Sequence, residues 1–338
     1  MKVRNKMERT RGLVLLLKDL VSPEDKELVE RMDLAEVAFN SLYGAYQRHK
    51  ELGEGGKEIV RQEEDVVQTH IKADIEAEEA VFQEFERWVE KNDCLLEYWA
   101  EELGRGEIIG PGGHSGDRYY GEDETFFVTL DGLDGTANFL ESNLDFSYGT
   151  MLAIARGENP TYGDFEVAGV AMHEEGLIIL GIKGVGVFVI DVENEKLIKL
   201  PNFEEEDYDS SKILADNYYL EARELLGDKS EIWPRAGSTA AAIVAITVGN
   251  VVKNPKFPKM NEGWQGLVEV TRKRNLEQPV LFLFSKILGG IMADESGESI
   301  KDEKFKDWGQ KEKLGVFTVK SKTVLDGTRT DLSLTRVS

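Results

Sequence analysis

An α+β fold is what this sequence predicts, and three stretches carry the prediction. Between residues 126 and 190 short apolar, β-rich runs recur with turn-forming residues between them, the pattern of an antiparallel sheet. Ahead of that region, apolar side chains repeat at helical spacing in two segments. Behind it, strand-like and helix-like patterns alternate through the last third of the chain.

Taken in order, Leu13-Val14-Leu15-Leu16-Leu17 follows a basic N-terminus in the manner of a signal peptide, but Lys18 and Asp19 interrupt it too early. It reads as the buried face of a first helix. Ser22-Pro23 reads as a helix start, a cap residue followed by proline in the first turn, and the helix should run towards His49, before the glycines at 53, 55 and 56. A second helix should follow Asp74, with Ala77, Val81, Phe85 and Trp88 on one stripe facing the core. Gly104 to Gly121, including Pro111-Gly112-Gly113-His114-Ser115-Gly116, reads as an exposed loop in which His114 is solvated. Strands are expected at Tyr148–Ala155, Val167–His173, Leu177–Ile182 and Gly186–Ile190, with turns at 157–160 and 174–176. Gly181 to Gly186 lacks the dinucleotide spacing and reads as a hairpin. Acidic residues 203–209 form a connection, followed by a strand near Ile213–Ala215, a turn at Gly237 and a helix through Ile246. Leu281 to Met292 reads as a core helix entering a strand.

Composition sets bounds. The chain has 338 residues, 41% of them hydrophobic, enough for two domains, divided here as 1–205 and 206–338. A net charge of −23 argues against a nucleic-acid polymer or an anionic membrane as partner. No segment reads as membrane-spanning, and the expected address is the cytoplasm. The single cysteine, Cys94, excludes an internal disulfide framework and reads as a small buried thiol. The four histidines show no metal-binding spacing.

Residues 131–139, Asp-Gly-Leu-Asp-Gly-Thr-Ala-Asn-Phe, are the most informative string. The apolar stretch Phe126 to Leu130 runs directly into them. A strand ending this way places two carboxylates beside a turn of backbone amides. Carboxylates gather hard cations such as Mg²⁺, and amides at a helix start gather phosphate. The same string is compatible with an ordinary Asp-Gly turn.

Four further segments accompany it: Lys72-Ala73-Asp74-Ile75-Glu76, Ala100-Glu101-Glu102-Leu103-Gly104, Arg235-Ala236-Gly237-Ser238-Thr239-Ala240-Ala241-Ala242, and Leu288-Gly289-Gly290-Ile291-Met292-Ala293-Asp294 with Gly297. In kind and order they resemble the motifs of the inositol monophosphatase-like phosphatases, the lithium-sensitive, magnesium-dependent family that includes fructose-1,6-bisphosphatases. The similarity covers about residues 55–300. It implies a layered αβαβα sandwich, with an N-terminal antiparallel sheet and a smaller C-terminal α/β part. It also implies two or three Mg²⁺ ions and hydrolysis of a small phosphorylated metabolite, in the first place an inositol or sugar phosphate. Fructose 1,6-bisphosphate and 3′-phosphoadenosine nucleotides are alternatives, and so is a non-catalytic relative that binds metal or a phosphorylated ligand.

Carried over residue by residue, Glu101, Asp131 and the carbonyl of Leu133 would hold a first ion, with Glu102 an alternative to Glu101. Asp131 would bridge to a second ion shared with Asp134. The family completes that site with the aspartate of a Trp-Asp pair; at the corresponding spacing this chain has Leu276-Glu277, so Glu277 takes the place. Thr136, paired with Asp74, would orient the attacking water, with Glu101 near it. Gly135 and Thr136 would grip phosphate through their amides, and Gly237 and Ser238 would face substrate. Gly132 stands where the family has proline, a change expected to loosen the turn. The inositol-facing acidic stretch is replaced by Gly249 to Asn254 and an insertion up to Arg274. There Lys253, Lys256, Lys259, Arg272, Lys273 and Arg274 form a basic patch, read as a solvated loop, a receptor for a second phosphate or the contact of a homodimer.

Overall fold

The computed structural model describes residues 24–62, 69–111, 125–141, 145–215, 226–249, 251–254, 256–271, 276–308 and 314–335, with Gly12, Leu17, Lys18, Ser22, Arg223 and Glu224 besides. Helix α1 (Lys26–Leu52) starts at Asp25, whose carboxylate accepts the Leu28 amide at 3.1 Å. This cap satisfies an N–H that the first helical turn cannot bond internally. The start expected at Ser22-Pro23 is thus corrected: the Ser22 carbonyl accepts the Asp25 amide at 3.0 Å and closes a lead-in turn. Of the leucine-rich stretch before it, Leu17 is buried against α1, and 13–16 lie outside the described residues.

Strands β1 (Ile59–Gln62) and β2 (Thr69–Ile71) pair antiparallel and lead into α2 (Lys72–Asn92). Ala77, Val81, Phe85 and Val89 are buried along α2, and Trp88 packs edge-on against Phe126, so the expected stripe faces the core. Cys94 is buried just beyond the helix.

Next come β3 (Leu95–Ala100), β4 (Arg105–Ile109), β5 (Thr125–Asp134), α3 (Thr136–Leu140) and β6 (Gly149–Arg156). They are followed by β7 (Phe165–Met172), β8 (Leu177–Ile182), β9 (Gly186–Asp191) and β10 (Lys196–Lys199). These strands make one eight-stranded sheet in the order β10-β9-β8-β7-β6-β5-β3-β4, antiparallel except for the β3–β5 pair. The loop expected from Gly104 is corrected in its first part, where β4 pairs with β3 as an edge strand; His114 and the glycines around it lie outside the described residues. Every residue of β7 and β8 is buried, because the sheet is covered on both faces.

After an irregular stretch come β11 (Ile213–Ala215), α4 (Lys229–Ile232), α5 (Thr239–Thr247), β12 (Gly266–Thr271), α6 (Gln278–Ile287), β13 (Ile291–Ala293), α7 (Phe305–Trp308), β14 (Leu314–Val319) and α8 (Lys322–Thr335). A four-stranded sheet runs β11-β12-β14-β13. Within the stretch expected as an insertion up to Arg274, β12 pairs parallel with β11 and antiparallel with β14. Within the expected basic patch, Lys256 pairs with Glu174 at 2.9 Å and Lys259 with Asp145, while Arg272, Lys273 and Arg274 lie outside the described residues.

Packing arranges these elements in five layers. α1 and α2 cover one face of the large sheet through Met32, Leu42 and Val81 against Leu152, Val167 and Ile178. α5 and α6 fill the space between the sheets, with Ile243, Leu281 and Phe284 in one core with Met151, Val170 and Leu267. Val324 and Leu325 of α8 pack with Val268 and Val319 on the far side of the small sheet. The expected αβαβα order is what the chain adopts. Phe284 is fully buried, and its ring lies where a Cβ on Gly181 would come within 2.7 Å, so a bare strand backbone makes room for it. Phe284→Ala should leave a void in the middle layer and cost about 3–5 kcal/mol of stability, measured by denaturant titration.

Candidate metal centre

The last residues of β5 leave the sheet in a bulge. Asp131 lies opposite Met151 and Asp134 opposite Gly149, so Gly132 and Leu133 together face the single residue Thr150. An insertion of this kind bends the strand and re-aims its side chains. The Asp131 carboxylate accepts the Leu133 amide at 2.9 Å. Gly135, with φ at +92°, turns the chain into α3 in a conformation that favours glycine.

The result is a convergence of acids. Oxygens of Asp131, Asp134 and Glu277 lie within 4.8 Å of one another. Glu277 immediately precedes α6, and its Oε2 is buried with no hydrogen-bond partner among the described residues. Burial pushes the Asp131 carboxyl well above the usual range, and the charges of Glu101, Glu277, Asp134 and Asp74 push it further. Burial likewise raises Glu277 to about 8, with Asp134 and Glu101 the next causes. Glu101 thus faces the trio as a neighbouring charge. Crowded oxygens in a buried setting are a donor set for a hard divalent cation, whose charge would reverse the repulsion. The residues present fit such an ion.

Each acid is fixed by groups that also shape the fold. Asp134 Oδ2 accepts from the Ser238 hydroxyl at 2.6 Å and from the Ala240 amide at 2.5 Å, so this carboxylate sits at the start of α5. Ser238, expected to face substrate, caps α5 by accepting the Ala241 amide at 3.0 Å and directs its hydroxyl proton to Asp134. Gly237 has φ at +69°, and a Cβ there would lie 2.5 Å from Asn138 Oδ1. Asn138 in turn donates to the carbonyls of Ser147 at 2.8 Å and Ala236 at 2.9 Å, tying the motif to the Gly237 turn. The Leu133 carbonyl accepts from Thr136 Oγ at 3.1 Å, and a second lone pair of that oxygen remains for another partner. Thr136 Oγ also lies 3.4 Å from Asp74 Oδ1.

Glu78 is a residue that reading the sequence missed. Its fully buried carboxylate accepts the amides of Glu101 at 2.9 Å, Glu102 at 3.0 Å and Leu103 at 2.8 Å. It stands one helical turn after Asp74, a spacing that puts both acids on the same face of α2. Burial raises Glu78 to about 8 in spite of those three donors. The acidic pair is thereby divided: Glu102 turns to the buried His70, and Glu101 is left towards Asp131.

The expectation that Gly132 loosens the turn is also corrected. A Cβ at 132 would come within 2.4 Å of the Asp74 carbonyl and 2.7 Å of Glu78 Cγ. α2 packs so closely here that only a bare backbone fits. Gly132→Ala should cost about 1–3 kcal/mol by overpacking and weaken cation binding, measured by thermal unfolding with and without Mg²⁺. In chelator, stability should depend on pH as follows. The folded values of Glu277 and Glu78 lie above the ordinary 4.5, so the fold favours their protonated forms. That contribution is complete below about 4.5 and disappears as pH rises through about 8. Tm in EDTA should therefore fall across this window, and Mg²⁺ should raise it most at the alkaline end.

No family model matches the chain, and no curated protein matches it by sequence. Solved structures do match in shape. The crystal structure of an IMPase/NADP phosphatase complexed with Mg²⁺ and phosphate aligns over 89% of this chain and 95% of its own, with 14% identity and a TM-score of 0.61. The extragenic suppressor protein suhB from Bartonella henselae aligns over 89% and 98%, with 16% identity and a TM-score of 0.62. An IMPase from Thermotoga maritima aligns over 91% and 98%, with 14% identity and a TM-score of 0.58. Agreement in shape across almost the whole of each chain gives this protein the fold of the inositol monophosphatase-like family.

Proposed function

We propose that the chain is a Mg²⁺-dependent phosphomonoesterase acting on a small phosphorylated metabolite, with inositol and sugar phosphates as the first substrate class. The observation that carries the reading is the convergence of Asp131, Asp134 and Glu277, with the buried, unpartnered Glu277 Oε2. The neighbours of the same fold include structures described with Mg²⁺ and phosphate and with D-inositol-1-phosphate. Asp131, Asp134 and Glu277 would hold one ion, and Glu101, Asp131 and the Leu133 carbonyl another, within a total of two or three. When bound, such ions supply charge neutralisation at the phosphoryl oxygens and an acidified water.

The chain's own groups would do the rest. Thr136 Oγ, within reach of the Leu133 carbonyl and Asp74 Oδ1, would orient the attacking water and pass its proton towards Asp74. In the metal-free chain, burial and the charges of Glu101, Glu102 and Glu78 hold the Asp74 carboxyl well above its usual range. The amides of Gly135 and Thr136 would contact the phosphate, and the Gly237–Ser238 turn would line the substrate side while positioning Asp134. No helix among the described residues is long and apolar enough to cross a membrane.

The test is release of inorganic phosphate from a panel of inositol 1-phosphate, fructose 1,6-bisphosphate, 3′-phosphoadenosine 5′-phosphate and NADP. Turnover should require Mg²⁺ and stop in EDTA. Asp134→Asn should reduce it by about a hundredfold or more while far-UV circular dichroism is unchanged. Divalent binding without turnover of any panel member would instead favour a non-catalytic binding relative.

A further inference from the structure

Behind the metal-binding turn lies a buried polar network that the reaction itself does not use. It includes His49, Tyr148, Thr150 and His173, with Phe139 packed against the His49 ring. The two imidazoles stack with centroids 4.4 Å apart and planes 16° from parallel. Thr150 is fully buried and stands opposite the bulge, where the β5–β6 ladder is interrupted. Its hydroxyl donates to the Gly132 carbonyl at 2.7 Å. That contact gives a partner to the carbonyl of a bulge residue, the one between Asp131 and Leu133.

Counting protons orients the whole chain of contacts. A hydroxyl has one hydrogen, and that of Thr150 goes to Gly132. The 3.0 Å contact between Thr150 Oγ and His173 Nε2 therefore has the imidazole as donor. His173 carries its hydrogen on Nε2, and its buried Nδ1 is a bare lone pair without a partner among the described residues. The same reasoning applies to its neighbour. The Tyr148 hydroxyl donates to Glu174 at 2.8 Å, so His49 Nε2, at 3.2 Å, donates to Tyr148. His49 Nδ1 is likewise buried and without a partner among the described residues. Both rings are thus neutral and share one tautomer, and burial lowers both well below the usual histidine range. A neutral ring can stack on its twin at this distance without charge repulsion.

We propose that Thr150 and His173 are positioning residues for the metal centre: the relay from His173 Nε2–H through the Thr150 hydroxyl to the Gly132 carbonyl fixes the bulge, and with it the separation of the Asp131 and Asp134 carboxylates. This rests on the reading of those carboxylates as a divalent-cation site. Gly132 cannot be held by proline stiffness, because α2 leaves no room for a Cβ. The carbonyl is the handle that remains. Groups that orient the ligands of a metal without touching it commonly change its affinity by about 10–100-fold when removed.

The experiment is direct Mn²⁺ titration of the purified chain, followed by electron paramagnetic resonance of the free ion, with no substrate present. Thr150→Val keeps the shape and deletes the hydroxyl; it should weaken Mn²⁺ binding by about tenfold or more. Thr150→Ser and His173→Gln keep the donors and should bind within about twofold of the parent, whereas His173→Leu should follow Thr150→Val. Unfolding monitored in EDTA checks that each variant folds. Should Thr150→Val not fold, the His173→Leu and His173→Gln pair decides the matter alone. A folded Thr150→Val or His173→Leu with parental affinity overturns the proposal and leaves the metal site standing. Loss in Thr150→Ser equal to that in Thr150→Val also overturns it, because packing of the methyl group would then be responsible. A parent chain that binds no Mn²⁺ overturns the metal site itself, and the positioning role with it.

Discussion

Negative charges crowded out of water set the terms for this structure. At separations below 5 Å, and with little solvent to screen them, Asp131, Asp134 and Glu277 repel one another strongly unless a proton or a cation intervenes. Such an arrangement persists only when the surrounding fold determines it. Backbone amides of Leu133 and Ala240 anchor two of the acids, and the Ser238 hydroxyl adds a third donor. Glu78 draws three successive amides onto one carboxylate and so sets the path by which Glu101 approaches. Burial and mutual repulsion hold protons on these acids, and a divalent ion would displace those protons on binding.

The layered fold delivers these groups from far apart. β5 is central in the large sheet, with β3 and β6 on either side, so its end is held by its neighbours. α5 and α6 lie between the sheets, and the segments that enter them bring Ser238 and Glu277 to the end of β5. The glycines at 135 and 237 permit the two sharp turns that meet there. α2 supplies Asp74 and Glu78 from the opposite face of the large sheet. Packing and the candidate site thus share residues, and Asp134 is the clearest case, as a metal-ligand candidate that also accepts the Ala240 amide in the first turn of a helix.

How much of this the sequence discloses follows from how local each signal is. The strands from 149 to 191 and the stripe on α2 were legible, because their periodicity is written in consecutive residues. Asp131, Asp134 and the Gly237 turn were legible through their motifs, and the structure brings the counted position Glu277 to the same place. The strand β4 was not, because its glycine-rich surroundings carry the signal of a loop while pairing with β3 decides the outcome. Glu78 was hidden among the many glutamates of an acidic helix; only the helical offset from Asp74 marked it. Gly132 suggested looseness, since a sequence cannot show that a helix backbone passes within contact distance. Thr150 and His173 carry no motif, and their role arises from strand register and from the direction of hydrogen bonds.

The contact between Asp134 and Ser238 joins positions 104 residues apart. Closing so long a loop is entropically slow, and the acidic pocket is completed only when an even later segment has docked. Partly synthesised or clipped chains would hold the aspartates of β5 without their distant counterparts. Affinity for a divalent ion would then serve as a gauge of finished folding, separating mature molecules from intermediates whose large sheet has formed but whose second layer of strands has not.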